Sequence, residues 1–282
     1  MSKKNQGEVK KLCGKDGFES YYSQIFGERW ESLKESFAGE NKSVEYKIPG
    51  AHKSYFLDSA SIVAALALPL DGADKILDLC AAPGGKTLVL ASRMPKAAEL
   101  FSNERSPERK HRLAPVVSEC LPESISKRIT VSCSDGATWC RRQSECFDRI
   151  LLDAPCSSER HVYLDSKYLD VWSVSRIKTV SMAQWALLSC AFRLLSPGGI
   201  LVYSTCAMNQ EENDLMIEKL WKKFNKTEPA FEILKPELHL EEVSPFVNFS
   251  IPFMEKTKFG QQILPDKADG AGPIYFSVIK KF

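Results

Sequence analysis

Two cysteines stand at matching places in the sequence, each just after an apolar segment typical of a β-strand. Cys156 ends the sequence DAPC after the segment 147–153, and Cys206 ends the sequence STC after the segment 200–205. The carboxyl ends of parallel strands meet at one edge of a sheet. We therefore expect both thiols and the Asp153 carboxyl to lie close together. Most cysteines are buried and inert, so a purely structural role for either thiol is the alternative.

A thiolate beside a carboxyl group is suited to covalent catalysis on a pyrimidine ring. Carbon 5 of cytosine is a poor nucleophile, but a thiolate that adds to carbon 6 turns the ring into an enamine. Carbon 5 can then attack an activated methyl group. A carboxyl such as Asp153 would hydrogen-bond base N3, and a general base must afterwards remove the carbon-5 proton. The second cysteine would help that release.

A Gly-rich turn, DLCAAPGGKT (78–87), follows the first predicted strand of the same sheet. Its small residues let the backbone approach a ligand, and the next helix offers free N–H groups at its start. The final GKT fits a P-loop, but Cys80 stands where that motif requires its first glycine. Glu104, at the end of the second strand, can accept hydrogen bonds from both ribose hydroxyls, which suits an adenosyl cofactor. A plain tight turn is the alternative.

Composition and charge indicate a globular protein. The chain has 282 residues, of which 44% are hydrophobic and 26% charged, and its net charge of +2 excludes a polycation. The longest apolar run is too short to span a bilayer, and the start MSKKNQGEVKK lacks the apolar core of a secretory signal. Nine cysteines without a CxxC pair favour a reduced compartment. We expect a cytoplasmic protein with no membrane partner and no metal.

Strand-like and helical segments alternate from residue 74 onward, which predicts a doubly wound, mostly parallel sheet. Strands are predicted at 76–80, 99–104, 128–135, 147–153 and 200–205, and helices after the Gly-rich turn to about 94 and at 106–119, 174–195 and 209–224. The segments 262–264 and 274–279 are expected to form an antiparallel edge pair.

The N-terminal part has a different pattern. Helices are predicted at 18–37 and 58–68. Farther along the chain, residues 160–178 are predicted to form a mobile loop that leads into a helix. We predict a short helical N-terminal extension (1–50) and one large domain (51–282).

Five motifs in order resemble those of a known enzyme family. DLCAAPGGKT, SNERSPER, CSDG, LLDAPCSSERH and LVYSTCAMNQEEND are similar to successive motifs of the Sun/Fmu (RsmB-like) RNA cytosine-5 methyltransferases. The similarity covers about residues 50–225, and the tail GQQILPDKADGAGPIYFSV resembles the end of that catalytic domain. It implies the α/β, Rossmann-like fold of class I methyltransferases, with a mostly parallel seven-stranded sheet and an antiparallel edge. It also implies methyl transfer from S-adenosylmethionine to carbon 5 of an RNA cytosine.

The resemblance further implies roles for single residues. Cys206 would be the nucleophile, Cys156 would assist release of the methylated RNA, and Asp153 and Lys86 would complete the catalytic group. The implied cofactor-binding residues are Cys80, Ala81, Ala82, Pro83, Gly84, Gly85, Lys86, Glu104, Arg109, Asp135, Gly136 and Asp153. Glu104, where the family more usually has aspartate, would hold the ribose, and Asp135 with Gly136 would lie at the adenine. The presence of both cysteines favours RNA over DNA, because DNA cytosine methyltransferases use the Pro-Cys cysteine as nucleophile.

The target RNA is less defined by these motifs. Few residues precede the first motif, so we expect a compact family member without the RsmB-type RNA-binding extension. A monomer is assumed. A helper protein or a ribosomal particle would then supply target choice, with small-subunit rRNA expected before tRNA. Arg160 and His161 are predicted to contact phosphates, whereas Lys3, Lys4, Lys10 and Lys11 suit a solvated tail better than an RNA-binding arm. An RNA-binding assembly factor with incidental methylation and a P-loop nucleotide hydrolase are the alternatives.

Overall fold

A nine-stranded mixed sheet forms the centre of the protein. The computed structural model describes residues 12–39 and 43–282. The strands are β1 (Ser43–Tyr46), β2 (Tyr55–Asp58), β3 (Lys75–Asp78), β4 (Glu99–Glu104), β5 (Ile129–Cys133), β6 (Phe147–Asp153), β7 (Leu195–Thr205), β8 (Phe231–Leu234), β9 (Glu255–Lys256), β10 (Gln261–Ile263) and β11 (Ile274–Lys281). The sheet order is β5-β4-β3-β6-β7-β11-β10-β9, and β8 also pairs with β11. The first five strands in this order, β5, β4, β3, β6 and β7, are parallel to one another.

Helices cover both faces of this sheet, as a doubly wound fold requires. They are α1 (Gly14–Phe26), α2 (Arg29–Ala38), α3 (Ser59–Leu66), α4 (Gly85–Arg93), α5 (Pro107–Glu119), α6 (Glu123–Ser126), α7 (Glu159–Leu164), α8 (Ser166–Asp170), α9 (Val174–Leu194) and α10 (Asp214–Phe224). Neighbouring strand residues point to opposite cores: Ile76 packs with Leu88 of α4, and Leu77 packs with Leu188 of α9. The predicted α/β fold is confirmed.

Local sequence signals set several element bounds. Asp58 caps α3 by accepting a hydrogen bond from the Ala60 N–H at 2.7 Å. Ser106 accepts one from the Arg109 N–H at 3.3 Å, and Pro107 occupies the first turn of α5. Both helices begin where the sequence predicts, and β4 and β6 have the predicted bounds.

The carboxyl-terminal edge of the sheet is antiparallel, as predicted. Tyr275 of β11 lies opposite Thr205 of β7 on one side and opposite Gln262 of β10 on the other. The short strands β8 and β9 were not predicted, and they raise the strand number from the expected seven to nine. Each is only two to four residues long and is defined by its pairing with a distant partner strand.

The predicted N-terminal helix 18–37 is two helices, α1 and α2. Gly27 ends α1 at a φ of 57°, a left-handed conformation that suits glycine. Phe18 and Trp30 then pack in one cluster with Trp172, which is 1% exposed. The prediction of a mobile loop at 160–178 was wrong, because α7, α8 and the start of α9 pack against this aromatic cluster.

The segment around the predicted domain boundary forms a hairpin. Strand β1 pairs with β2 in a separate antiparallel sheet, which the sequence analysis missed. The boundary between residues 50 and 51 stays a prediction. Lys3, Lys4, Lys10 and Lys11 lie outside the described residues. Within 12–39 and 43–282, no helix has the length and apolarity needed to cross a membrane.

Candidate active site

The Gly-rich turn (residues 79–84) joins β3 to α4, and close packing sets its shape. Gly84 has a φ of 120°, and a Cβ there would lie 2.8 Å from Val116 Cγ1 on α5. A Cβ on Gly85 would lie 3.0 Å from the Tyr55 ring. The glycines are therefore needed for contact with neighbouring side chains, a reason that sequence analysis did not supply.

Asp78 stands at the start of this turn with an unused acceptor. Its side chain is fully buried, and Oδ2 accepts a hydrogen bond from Thr87 Oγ1 at 2.6 Å. Its Oδ1 has no hydrogen-bond partner among residues 12–39 and 43–282. Burial raises the pKa of Asp78 to about 7. Sequence analysis quoted Asp78 in the motif but gave it no role.

Glu104 and Arg109 meet beside the same turn. Glu104 Oε1 accepts the Ser106 N–H at 2.9 Å, while Oε2 lies 3.3 Å from Arg109 Nη1. Arg109 Nη2 donates to the Ala82 carbonyl at 2.6 Å, so this side chain braces the turn. Burial and the carboxyls of Asp78 and Glu104 raise the pKa of the Cys80 thiol, which is therefore neutral. The structure thus brings the predicted turn, Glu104 and Arg109 together.

Asp135 and Gly136 lie after β5 at the same sheet edge. Asp135 Oδ1 accepts the Ala137 N–H at 3.1 Å and so caps a short 3₁₀ turn. A Cβ on Gly136 would lie 2.7 Å from Leu79 Cδ1, so this glycine permits contact with the Gly-rich turn. Asn103, which sequence analysis missed, donates to the Leu79 carbonyl at 3.2 Å and ties these segments together.

The two predicted cysteines are in contact. Cys156 Sγ lies 2.8 Å from Cys206 Sγ, and both are free thiols. Ser158 Oγ is 3.4 Å from the first sulfur and 3.3 Å from the second. The hydrogen bond with Cys206, together with burial, raises the pKa of Cys156 well above its usual range. Cys156 therefore keeps its proton.

An ion pair lies beside the thiols. Lys86 Nζ donates to Asp153 Oδ2 at 2.8 Å and to Ser61 Oγ at 3.4 Å. Ser204 Oγ donates to Asp153 Oδ1 at 2.8 Å. Burial opposes the charge of Lys86, but attraction to Asp153 and then Cys206 raises its pKa above the ordinary value. Lys86 therefore stays a cation.

Two cavities meet at this ion pair. The turn cavity, about 190 Å³, is lined by the Gly-rich turn and by Asp78. The cysteine cavity, about 670 Å³, contains Cys156 and Cys206. Lys86 and Asp153 line both cavities, so the junction is the place where groups bound in the two cavities would meet.

Two buried carboxylates hold the cysteine loops, which are the Pro-Cys loop (154–158) and the Thr-Cys loop (206–213). Glu212 Oε2 accepts the Ser157 N–H at 3.0 Å, and Glu159 Oε2 accepts the Met208 N–H at 3.2 Å. Asn209 Nδ2 donates to both carboxylates, at 2.6 Å and 2.8 Å. Burial and then repulsion from Glu159 raise the pKa of Glu212 to about 7. Glu159 and Glu212 lie within two of the five motifs, but no role was predicted for either.

The two predicted RNA contacts both line the cysteine cavity. Arg160 Nη1 donates to the Gly270 and Gly272 carbonyls at 2.7 Å and 2.8 Å, which ties α7 to the segment before β11. His161 is exposed, and its ring centre lies 5.0 Å from that of Tyr168. Phosphate contact by either residue stays a prediction. Among the described residues, no group of three His, Cys, Asp or Glu side chains could hold a metal.

Sequence comparison decides the family. Residues 65–269 match the family described as 16S rRNA methyltransferase RsmB/F. The chain belongs to this methyltransferase family. The resemblance deduced from the five motifs is thereby confirmed.

Relatives of the RsmB/F family extend this finding. The chain is 32% identical over 234 residues to the 5-cytosine rRNA methyltransferase NSUN4 of Bos taurus, which covers 79% of this chain and 58% of the relative. It is 32% identical to a mitochondrial tRNA (cytosine(34)-C(5))-methyltransferase of Danio rerio, with 80% and 60% covered. The chain thus spans less than two thirds of the length of these curated relatives.

Solved structures share the fold. A methyltransferase homolog protein from Pyrococcus horikoshii has a TM-score of 0.71 and 21% identity, with 94% of each chain covered. NSun6 from the same organism, solved with SFG, has a TM-score of 0.64 and 22% identity, with 82% of this chain and 54% of that chain covered. At these identities the likeness shows the fold alone.

Proposed function

We propose that this RsmB/F-family chain transfers a methyl group from S-adenosylmethionine to carbon 5 of a cytosine in RNA, with Cys206 as nucleophile. The observation that carries the proposal is the thiol pair, 2.8 Å between sulfurs, beside the Lys86–Asp153 ion pair. A nucleophile and a proton donor thus line the cysteine cavity, and a cation stands where this cavity meets the turn cavity. This set matches the needs of covalent pyrimidine chemistry.

The turn cavity, together with the nearby Glu104 carboxyl, fits S-adenosylmethionine by its acceptors. Asp78 Oδ1 is buried without a hydrogen-bond partner among the described residues, and the buried Glu104 Oε2 has an ion-pair contact with Arg109 at 3.3 Å but accepts no hydrogen bond there. The first suits the cofactor's amino cation and the second its ribose hydroxyls. Arg109 and Ala82 would close the turn around it. The bound cofactor supplies an electrophilic methyl group on its sulfonium.

The cysteine cavity would hold the target base. The Cys206 thiolate adds to carbon 6, which forms one carbon–sulfur bond and shifts electron density towards carbon 5 and N3. Lys86 donates to Asp153 and Ser61, and the third N–H of its ammonium group remains for the ring of the base. Cation and S–H donor together stabilise the thiolate before attack.

Release requires the reverse bond change. After methylation, carbon 5 loses its proton to a base, the carbon–sulfur bond breaks, and the electron pair returns to Cys206. Cys156 contacts the leaving sulfur and is assigned to this step, since its S–H can hydrogen-bond the departing thiolate. Loss of Cys156 should therefore leave the adduct in place.

The target is proposed to be an unpaired cytosine, because a stacked base cannot enter such a cavity. Small-subunit rRNA is the first candidate and tRNA the second, supported by the names of the matched family and relatives. Target choice is proposed to depend on a helper protein or ribosomal particle. A monomeric, cytoplasmic enzyme remains the proposal.

The test is a covalent trap. Cys156→Ala protein is mixed with cellular RNA and S-adenosylmethionine and run on a denaturing gel, with Cys133→Ala as an exposed-cysteine control. We expect an RNA-linked band in Cys156→Ala only, absent from the double variant that also lacks Cys206. Sequencing the trapped RNA names the target. Methyl transfer by folded Cys206→Ala protein would refute the assignment.

A further inference from the structure

Three planar side chains form a row at the mouth of the cysteine cavity. The Tyr168 ring centre lies 5.0 Å from that of His161, with the ring planes tilted by 48°, and 6.0 Å from the Arg176 Cζ. Tyr168 is 41% exposed and the neighbouring Leu164 is 55% exposed. Exposed side chains of this size, grouped beside a catalytic cavity, indicate a binding surface.

The fold holds this row rigidly and close to the chemistry. His161 and Leu164 line the same cavity as the two cysteines, so the row continues the surface of that cavity. The opposite sides of α7 and α8 are anchored by Val162 and Leu169, which are buried in the aromatic cluster with Trp172. The inner faces of α7 and α8 are therefore fixed by packing, and their exposed faces point outward.

The chemistry of the row fits an unpaired nucleotide. Bases released from a helix stack on Tyr and His rings and on Arg guanidinium planes, largely without regard to sequence. The positive charge of Arg176 complements the adjoining phosphate. Such a surface is needed because a cytosine drawn into the cavity leaves its neighbour without a stacking partner.

We propose that His161, Tyr168 and Arg176 form a stacking subsite for the nucleotide next to the target cytosine. This inference rests on the proposed function, since it takes the occupant of the cysteine cavity to be a base in RNA. Tyr168 supplies the central face, and the other two side chains extend it.

The test measures binding of a short, fluorescein-labelled, single-stranded oligoadenylate by anisotropy. Tyr168→Ala should weaken binding about five- to tenfold, whereas Tyr168→Phe, which keeps the ring, should bind within about twofold of the unsubstituted protein. Phe253→Ala is the matched control, because Phe253 is 55% exposed and has Lys267 Nζ 5.9 Å from its ring centre. We expect no change in that variant.

The salt dependence separates stacking from charge. The slope of affinity against salt concentration should be the same in Tyr168→Ala as in the unsubstituted protein, because no phosphate contact is lost. Unchanged affinity in Tyr168→Ala, equal loss in Phe253→Ala, or no binding by the unsubstituted protein would overturn the subsite.

The trap assay keeps this inference separate from the proposed function. If Cys156→Ala forms the adduct but adding Tyr168→Ala leaves adduct formation at limiting RNA unchanged, the subsite is wrong and the function stands. If no RNA is methylated or trapped while binding still depends on Tyr168, the function is wrong and the stacking surface stands.

Discussion

The Gly-rich turn and the two cysteine loops lie at the same edge of the sheet but keep their shapes by different means. In the turn and at the start of α4, neutral side chains such as Val116 pack so closely on Gly84 and Gly85 that they leave no room for a Cβ. In the cysteine loops, backbone N–H groups point at the buried carboxylates Glu159 and Glu212. One region depends on volume and the other on charge and hydrogen bonding.

This difference indicates how each region will respond to change. A buried polar network is stable while every member has its partner, and removing one acceptor leaves several donors unsatisfied at once. A close-packed turn instead fails when a methyl group is added. The cysteine side should therefore be more sensitive to loss of a carboxylate than the turn is to a gain of volume.

The largest effect is expected from Glu159→Ala. Tyr22 and Ser157 each donate a hydroxyl to Glu159 at 2.6 Å, and two further donors come from Asn209 and Met208. Leaving these donors unpaired should lower the free energy of unfolding by about 3–5 kcal/mol, measured by urea denaturation. The exposed Glu241→Ala should change it by less than about 0.5 kcal/mol.

Glu159→Gln tests whether the network depends on the acceptor oxygens of Glu159 or only on the volume of this side chain. The amide keeps the shape but turns one acceptor into a donor that faces other donors. We expect a loss nearer to that of Glu159→Ala than to zero. A loss below about 1 kcal/mol in both variants would mean that charge and hydrogen bonding do not set the cysteine loops.

A smaller effect is expected from Gly84→Ala in the turn. The added Cβ would lie 2.8 Å from Val116 Cγ1 on a backbone with a φ of 120°. The clash and the strained backbone should together lower the free energy of unfolding by about 2–3 kcal/mol. In a Val116→Ala background the loss should be smaller, because the Cγ1 contact is gone while the contacts with the Cβ of residue 116 at 3.0 Å and Leu113 Cδ1 at 3.1 Å remain. An equal loss in both backgrounds would contradict the steric account.

The same contrast explains what could be predicted from the sequence. The Gly-rich turn, the starts of α3 and α5 to within one residue and the bounds of β6 follow from neighbouring residues, and each was predicted. Cys156 and Cys206 could be brought together because each follows its strand directly. The two cysteines then lie close together because β6 and β7 are adjacent strands of the sheet.

The supports of the cysteine loops could not be predicted, because they join distant segments. Tyr22 contacts Glu159 across 137 positions, and Gln184 contacts Glu212 across 28. Both glutamates lie within quoted motifs, but nothing in the local pattern shows that they are buried or which distant side chains they contact. Arg160 shows the same limit, since its contacts with Gly270 and Gly272 arise from folding alone.

Titration of Asp78, at the start of the Gly-rich turn, should change the affinity of the protein for its cofactor. Its pKa of about 7 follows from burial, and the ionised form is the one that attracts an amino cation. Affinity for S-adenosylmethionine, measured by calorimetry, should therefore rise about tenfold from about pH 5.5 to pH 7 as Asp78 loses its proton. Asp78→Asn should bind weakly with a flat profile. A flat profile in the unsubstituted protein would contradict this role.

The smallest expected effect separates strain from chemistry within the cysteine loops. Ser158 has a φ of 56°, a left-handed conformation that glycine adopts more readily. The Ser158→Gly protein should therefore have a free energy of unfolding about 1 kcal/mol higher than that of the Ser158→Ala protein. Both remove the hydroxyl that lies 3.3 Å from Cys206 Sγ, so both should slow alkylation of that thiol by iodoacetamide to a similar degree. If glycine restored the alkylation rate and alanine did not, the backbone conformation rather than the hydroxyl would govern the Cys206 thiol.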